Sequence, residues 1–288
     1  MAAPIDEPAP AKVNLSLRVL GRRPDGYHEL ESLVVFATFG DRLGLNPDED
    51  FALTVTGPFA AALDSDNLVA TAVRRAQAAD PHLRIGAFHL EKNLPVAAGL
   101  GGGSSDAAAA LRALRRANPG RAIDWTALAA GLGADVPVCL ARRPALMRGI
   151  GDRLDFVARM PKVAVVLVNP RLPLGAGDVF RALAAEPLQA AAVSHTPPPS
   201  FASLGDLVTY LRSSANDLEA PAKALCPEIV RVEAALASQP AARLVRMSGS
   251  GPTCFALFAS LSEADAAAAV IARYEPGWWV VASEIAAV

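Results

Sequence analysis

A glycine-rich segment that leads directly into an alanine- and leucine-rich run constrains this chain more than any other feature. Four of the five positions from 99 to 103 are glycine, and two serines and an aspartate follow. The run predicts a helix, with Ser104 or Ser105 as its N-cap and Asp106 near the positive end of its macrodipole. Glycine admits positive φ and close ligand approach, and the first N–H groups of a helix bind anions. The segment predicts a phosphate site, with a tight structural loop capped by serine as the alternative.

Two well-known phosphate loops do not fit this segment. A dinucleotide-binding fingerprint counted from Gly99 requires glycine or alanine where Ser104 stands, and an acidic strand end about 20 residues later, which is missing. A Walker A loop requires lysine before serine or threonine, and no lysine occurs between Lys92 and Lys162. The sequence therefore indicates a third kind of phosphate loop.

Composition excludes several classes of function. The 288 residues suit one large or two modest domains, and 52% of them are hydrophobic, which is ample for a buried core. The net charge of -2, without a basic run, argues against a nucleic-acid partner. The three scattered cysteines predict reduced thiols rather than a disulfide framework or a zinc site. Without a signal peptide or an apolar run of about 18 residues, we expect a cytoplasmic protein that contacts no membrane.

Two further segments have both structural and functional interpretations. Residues 9–20 alternate apolar and polar side chains, which predicts a half-buried strand with Lys12 and Asn14 on its polar face. On periodicity alone this face is solvated. Asp135 precedes Val136 and Pro137, which suit the first turn of a helix, so that Asp135 is a candidate N-cap as well as a candidate functional carboxylate.

The order of predicted elements indicates two domains. An apolar strand at 162–169 is followed by helices, and the last third predicts a strand, a glycine turn, a strand, a helix and a strand. This βαββαβ order is the ferredoxin-like plan. We place the domains at 1–160 and 161–288, with the last strand as a candidate for returning to the first domain.

Four motifs together resemble the GHMP kinases, the family of galactokinase, homoserine kinase and mevalonate kinase. The motifs lie at 9–15 with 25–30, in the glycine-rich loop, at 132–137 and at 248–253, and they follow the family's order. The loop comprises Pro95, Val96, Ala97, Ala98, Gly99, Leu100, Gly101, Gly102, Gly103, Ser104 and Ser105.

The resemblance implies an α+β, two-domain GHMP-kinase fold. It has an N-terminal α/β nucleotide-binding domain and a C-terminal ferredoxin-like domain, with the active site in the cleft between them. The implied activity is phosphoryl transfer from ATP to an alcohol. The loop would hold the β- and γ-phosphates, Lys12 would stabilise charge on the transferred group, and Asp135 would act as general base. Mg²⁺ is expected with the nucleotide, although the sequence names no metal ligand.

The matches at 9–15 and 25–30 are closest to the family branch whose acceptor carries a cytidine diphosphate. The resemblance implies that Tyr27 stacks on the cytosine, that His28 hydrogen-bonds its edge and that Asn14 contacts hydroxyls of the acceptor. Phe180 is a candidate for a second stacking ring, and a core phenylalanine is an equal possibility. The expected partner is this small molecule, with no nucleic acid and no membrane, and the expected oligomeric state is a monomer or a weak homodimer.

Two alternative functions stay open at this point. One is another GHMP kinase, such as a homoserine or mevalonate kinase; Tyr27 and His28 argue against it because those substrates carry no base to stack. The other is a nucleotide-binding sensor of the same fold without turnover, and the presence of Lys12 and Asp135 argues against it.

Overall fold

The structure, a computed structural model, describes residues 3–64, 66–189 and 197–287. The chain divides into two compact units, each built from separate segments. The first unit comprises Met1–Ala11, Gly40–Val96 and Gly101–Arg142, and the second comprises Lys12–Phe39, Ala97–Leu100 and Arg143–Val288. The glycine-rich loop contributes to both units. The boundary expected after residue 160 stays a prediction.

The first unit combines strands with a group of packed helices. Its strands are the start of β1 (Ile5–Asn14), the end of β3 (His28–Asn46), β4 (Ala52–Thr56) and β5 (Ala87–Glu91). Its α-helices are α1 (Leu68–Ala79), α2 (Gly102–Ala117), α3 (Trp125–Leu132) and α4 (Val136–Ala141). Strand β5 pairs in parallel with β4 and antiparallel with β3. Helix α2, buried throughout from Ser105 to Leu114, packs against α1, α3 and α4 and forms the centre of the unit.

A buried arginine joins three elements of the first unit. The Arg112 guanidinium of α2 donates to the Glu7 carboxylate at 2.9 Å and to the backbone oxygens of Pro8 at 2.7 Å and Cys139 at 2.9 Å. Buried guanidinium groups are stable only when they are paired in this way. Because Cys139 lies in α4, this network fixes the short helix that follows Asp135.

The second unit is dominated by an antiparallel sheet of four strands: β8 (Val163–Asn169), β9 (Leu244–Met247), β10 (Cys254–Phe258) and β11 (Trp279–Ile285). Their order in the sheet is β11-β8-β10-β9. Further strands of the unit are β2 (Arg18–Arg22), β6 (Ala145–Gly149) and β7 (Arg153–Phe156). Its α-helices are α5 (Ala176–Leu183), α6 (Leu204–Arg212), α7 (Glu219–Leu225), α8 (Glu228–Ala237) and α9 (Leu261–Tyr274). This order of strands and helices confirms the predicted ferredoxin-like plan. Strand β11 also pairs with β3 at Ile285 and Ala37.

The predicted half-buried strand at 9–20 is wrong in its extent and in its exposed face. Strand β1 ends at Asn14, and β2 begins at Arg18. Lys12 is 5% exposed and Asn14 and Ser16 are each 4% exposed, so the polar face is not solvated. Segments that are distant in sequence cover this face, and the alternation of side chains within one strand does not show whether another segment packs on it.

Helix α2 also begins earlier than predicted. Its N-cap is Gly101, in the left-handed region with φ +61°, and both serines lie in the first turn. The Ser105 hydroxyl donates to the Pro10 backbone oxygen at 2.8 Å instead of capping the helix. The predicted serine cap is therefore wrong, and Asp106 is buried rather than exposed at the helix start.

Candidate active site

The glycine-rich loop owes its shape to three residues with positive φ: Ala97 at +51°, Gly99 at +73° and Gly101 at +61°. A Cβ at Gly99 would lie 2.5 Å from the Ser248 backbone oxygen and 2.8 Å from that of Gly251, so only glycine fits there. The N-cap residue Gly101 offers no side chain to the first N–H groups of α2. A ligand with anionic oxygens is the partner that suits such a helix start.

Three of the sequence motifs meet within the second unit. The Lys12 N–H donates to the Leu100 backbone oxygen at 2.9 Å, and the Asn14 N–H donates to the Ser248 hydroxyl at 3.1 Å. That hydroxyl in turn donates to the Gly99 backbone oxygen at 3.0 Å. One backbone hydrogen bond and two hydrogen bonds of the Ser248 hydroxyl thus hold together the early strand, the middle of the glycine-rich loop and the glycine turn at 248–251.

The Asn14 carboxamide has a defined orientation. The Ser32 hydroxyl donates to the Ser16 backbone oxygen at 2.6 Å, so it can only accept from Asn14, whose Nδ2 lies 2.7 Å away. This arrangement leaves Asn14 Oδ1 buried without a hydrogen-bond partner among the described residues, 3.0 Å from where a Cβ of Gly249 would stand. An unsatisfied buried acceptor is costly and marks a place for a donor.

Asp135 is the residue before α4, as the sequence predicts, but its side chain makes no capping hydrogen bond to the helix. The predicted N-cap position of Asp135 is therefore confirmed, whereas its carboxylate does not cap the helix by a hydrogen bond. Asp135 belongs to the first unit and Lys12 to the second. Their joint catalytic role stays a prediction.

The predicted base-binding residues line one pocket of the second unit, with a volume of about 690 Å³. Tyr27 is 61% exposed, which leaves a ring face open to a ligand. The His28 and Phe180 rings stack on each other, with centroids 4.9 Å apart and planes inclined by 27°. Phe180 also packs against the core of the unit, which supports the alternative of a core phenylalanine, and its stacking on a base stays a prediction. The structure brings Tyr27, His28 and Phe180 together.

The protonation of His28 follows from its surroundings. Burial, with a smaller contribution from the positive charge of Arg22, lowers the pKa of His28 below its usual value of 6.5. The imidazole is therefore neutral at neutral pH. One ring nitrogen can then donate and the other accept a hydrogen bond, which suits the edge of a base.

Comparison with known proteins agrees with these motifs. The family model described as "GHMP kinases N terminal domain" matches residues 67–143, and that described as "GHMP kinases C terminal" matches residues 175–276. The 4-diphosphocytidyl-2-C-methyl-D-erythritol kinase of Rhodopseudomonas palustris strain HaA2 is 48% identical over 291 residues, which cover 98% of each chain. This chain belongs to the GHMP kinases.

Solved structures agree with this assignment. A crystal structure of 4-(cytidine 5'-diphospho)-2C-methyl-D-erythritol kinase matches with a TM-score of 0.77 and 35% identity, covering 98% of this chain and 99% of that one. Homoserine kinase from Cytophaga hutchinsonii matches with a TM-score of 0.68 and 17% identity, covering 100% and 98%. The second likeness concerns the fold alone. The predicted GHMP-kinase fold with N- and C-terminal domains is confirmed.

The first unit of this GHMP kinase contains a buried ion cluster that was not predicted from the sequence. The Lys92 ammonium lies between the carboxylates of Asp41 and Asp106, and all three side chains are at most 2% exposed. Asp106 Oδ2 is 2.6 Å from the Lys92 Nζ, whereas its Oδ1 is buried and has no hydrogen-bond partner in the part of the chain that the structure describes. Burial raises the pKa of Asp106 to about 8, against the attraction of Lys92 and with a further contribution from Asp41. The only sequence feature that could have drawn attention to this cluster was the scarcity of lysine, which makes the position of each lysine notable.

A smaller cavity of this kinase adjoins the glycine-rich loop within the first unit. It has a volume of about 280 Å³. Leu68, Val69 and Leu90 supply apolar walls, and Val96 and Gly103 belong to the loop segment itself. The cavity is assembled from four separate stretches of chain, so no local pattern could have indicated it.

Two negative findings concern the described residues of this GHMP kinase. Within 3–64, 66–189 and 197–287, no group of three or more His, Cys, Asp and Glu side chains is arranged to hold a metal ion. Over the same part of the chain, no helix is both long and apolar enough to span a membrane.

Proposed function

We propose that this GHMP kinase transfers the γ-phosphoryl group of ATP to the 2-hydroxyl of 4-diphosphocytidyl-2-C-methyl-D-erythritol. The observation that carries the proposal is the pocket of Tyr27, His28 and Phe180, since its aromatic rings and neutral imidazole suit a cytosine. Kinases named for this substrate are 48% identical over nearly the whole chain.

The loop of residues 95–105 is proposed to bind the nucleotide. Its positive-φ positions and the uncapped start of α2 favour the β- and γ-phosphates, and the cavity beside Val96 and Gly103 suits the flat, largely apolar base. Of the two serines, Ser105 is completely buried and donates to Pro10, so Ser104 is the one that could hold Mg²⁺ together with the phosphates. Bound Mg²⁺ would neutralise charge on the nucleotide.

Lys12 and Asp135 are proposed to serve the transfer itself. The acceptor oxygen forms a bond to the γ-phosphorus while the bond from that phosphorus to the β–γ bridging oxygen breaks, and ADP leaves with the bonding electrons. Asp135 receives the hydroxyl proton, and the Lys12 ammonium stabilises the charge that spreads over the equatorial oxygens. The family motifs at 9–15 and 132–137 support these two roles.

Asn14 is proposed to accept a hydrogen bond from a hydroxyl of the methylerythritol part. The carboxamide orientation set by Ser32 and Ser16 presents Oδ1, an acceptor, rather than Nδ2. A hydroxyl can satisfy this acceptor, whereas a carboxylate or phosphate cannot. Asn14 thus contributes to recognition of a polyol.

A coupled ADP-release assay tests the function. Purified protein is given 4-diphosphocytidyl-2-C-methyl-D-erythritol, homoserine or mevalonate in parallel, with ATP alone as the control. We expect turnover with the cytidine compound, and we expect Tyr27→Ala to raise its KM with little change in kcat. Faster turnover of homoserine or mevalonate would assign a different GHMP kinase, and nucleotide binding without turnover of any acceptor would favour a sensor.

A further inference from the structure

The pocket around Tyr27, His28 and Phe180 has a charge pattern that binding of a base leaves unexplained. None of the described residues that line it is acidic, and two of them, Arg22 and Arg181, carry guanidinium groups. A cytosine needs no such positive charge. A diphosphate attached to the nucleoside does, because its anionic oxygens match the planar donors of arginine.

The arginines of this region differ in their partners. Arg181 is paired with Asp178 at 2.7 Å, and Arg23, which follows Arg22, is paired with Glu29 at 3.1 Å. Among the described residues, no carboxylate lies within ion-pair distance of Arg22. Its guanidinium is therefore available to an anionic ligand.

The backbone holds Arg22 firmly at the edge of the pocket. Its N–H donates to the Glu186 backbone oxygen at 2.8 Å, and its own oxygen accepts from the Leu188 N–H at 2.9 Å. Arg22 is also the cross-strand partner of His28, and directly opposed residues project to the same face of a sheet. Arg22 and His28 both line the pocket, so the two side chains face the same ligand space.

We propose that Arg22 binds the diphosphate of the acceptor substrate and so distinguishes a nucleoside diphosphate from the free nucleoside. The inference rests on the proposed function, since it assumes that a cytidine derivative occupies the pocket. It adds a specificity-determining contact that neither the motifs nor the aromatic rings supply.

Calorimetric titration with CDP and with cytidine tests this assignment, with the ATP site filled by a non-hydrolysable ATP analogue. Arg22→Gln is expected to weaken CDP about tenfold and cytidine less than about twofold, the loss typical of one charge-assisted hydrogen bond at an exposed position. The loss should shrink at high salt. Arg22→Lys should retain part of the affinity for CDP because it keeps the positive charge but lacks the planar, bidentate donor geometry of a guanidinium.

Matched variants separate this contact from general surface charge. Arg181→Gln removes a paired guanidinium from the same pocket and should weaken CDP less than Arg22→Gln does. Arg212→Gln removes a cation that does not line the pocket and should change neither affinity. The proposal would be overturned if Arg22→Gln weakened the binding of CDP and of cytidine equally, or did not weaken the binding of CDP. It would also be overturned if Arg181→Gln weakened CDP more than Arg22→Gln does. Failure of the wild-type protein to bind either cytidine compound would instead remove the proposed function.

Discussion

The buried cluster of Lys92, Asp41 and Asp106 makes stability depend on pH in a way that one substitution should abolish. One ammonium faces two carboxylates that have almost no access to water, so one carboxyl retains its proton at neutral pH. Asp106 is that group, because burial raises its pKa to about 8 and its Oδ1 has no hydrogen-bond partner. In the unfolded chain the same carboxyl ionises near 4.

The sign and size of the effect follow from proton linkage. Between about pH 4 and about pH 8 the native state binds one proton more than the unfolded state at Asp106, so its contribution to stability falls as pH rises. The slope is about 1.4 kcal/mol per pH unit. Asp106→Asn carries no titrating group but keeps an acceptor for Lys92. The difference in unfolding free energy between this variant and wild type should therefore grow in favour of the variant by about 3 kcal/mol from about pH 5 to about pH 7. Above about pH 8 this difference should change little.

Urea denaturation at a series of pH values, followed by Trp125 fluorescence, measures this difference, since Trp125 is the tryptophan of the first unit. Asp41→Asn is the matched control. Asp41 Oδ1 accepts from the N–H groups of Asn93 at 2.5 Å and Leu94 at 2.8 Å, and an amide oxygen at this position can keep both hydrogen bonds. Because Asp41 contributes to the raised pKa of Asp106, Asp41→Asn should reduce the pH dependence of stability but leave Asp106 titrating, whereas Asp106→Asn removes that titration. A difference between Asp106→Asn and wild type that stays constant from about pH 5 to about pH 9 would refute the linkage reasoning.

Three further predictions concern the site. Lys12→Ala and Asp135→Asn should each lower kcat by orders of magnitude while an ATP analogue still binds, which rapid-quench and binding measurements separate; near-normal turnover in both would exclude the proposed mechanism. Gly99→Ala puts a Cβ 2.5 Å from the Ser248 backbone oxygen at φ +73°, so a loss of about 1–3 kcal/mol is expected in thermal unfolding, and an unchanged Tm would contradict it. Because the pKa of His28 is lowered, KM for the cytidine substrate should stay constant above pH 6.5 and rise as the pH falls through the His28 pKa. Protonation of His28 over this range should also make the native state less stable. The same pH profile of KM in His28→Gln would count against this role of His28.

Several features of the molecule could be predicted from local patterns. The dense glycines before an alanine-rich run indicated the phosphate loop and helix α2, because positive φ and helix propensity are properties of adjacent residues. The alternation of strands and helices after residue 161 indicated the ferredoxin-like plan, since hydrophobic period and connection order restrict topology strongly. The family resemblance was likewise local, since it rested on short motifs at 9–15 with 25–30, in the glycine-rich loop, at 132–137 and at 248–253.

Other features depended on contacts between distant segments. The polar face of β1 predicted a solvated surface, yet Asn14 is buried and its N–H donates to Ser248, 234 positions later. The sequence predicts that Asp106 is a favourable charge near the start of a helix, but in the structure it lies in a buried cluster with Lys92 and Asp41. The pattern of one segment reports only which of its faces are polar. Whether such a face meets water, an opposite charge or a ligand depends on the segments that fold over it, and these long-range contacts set burial, pKa and the shape of the pockets.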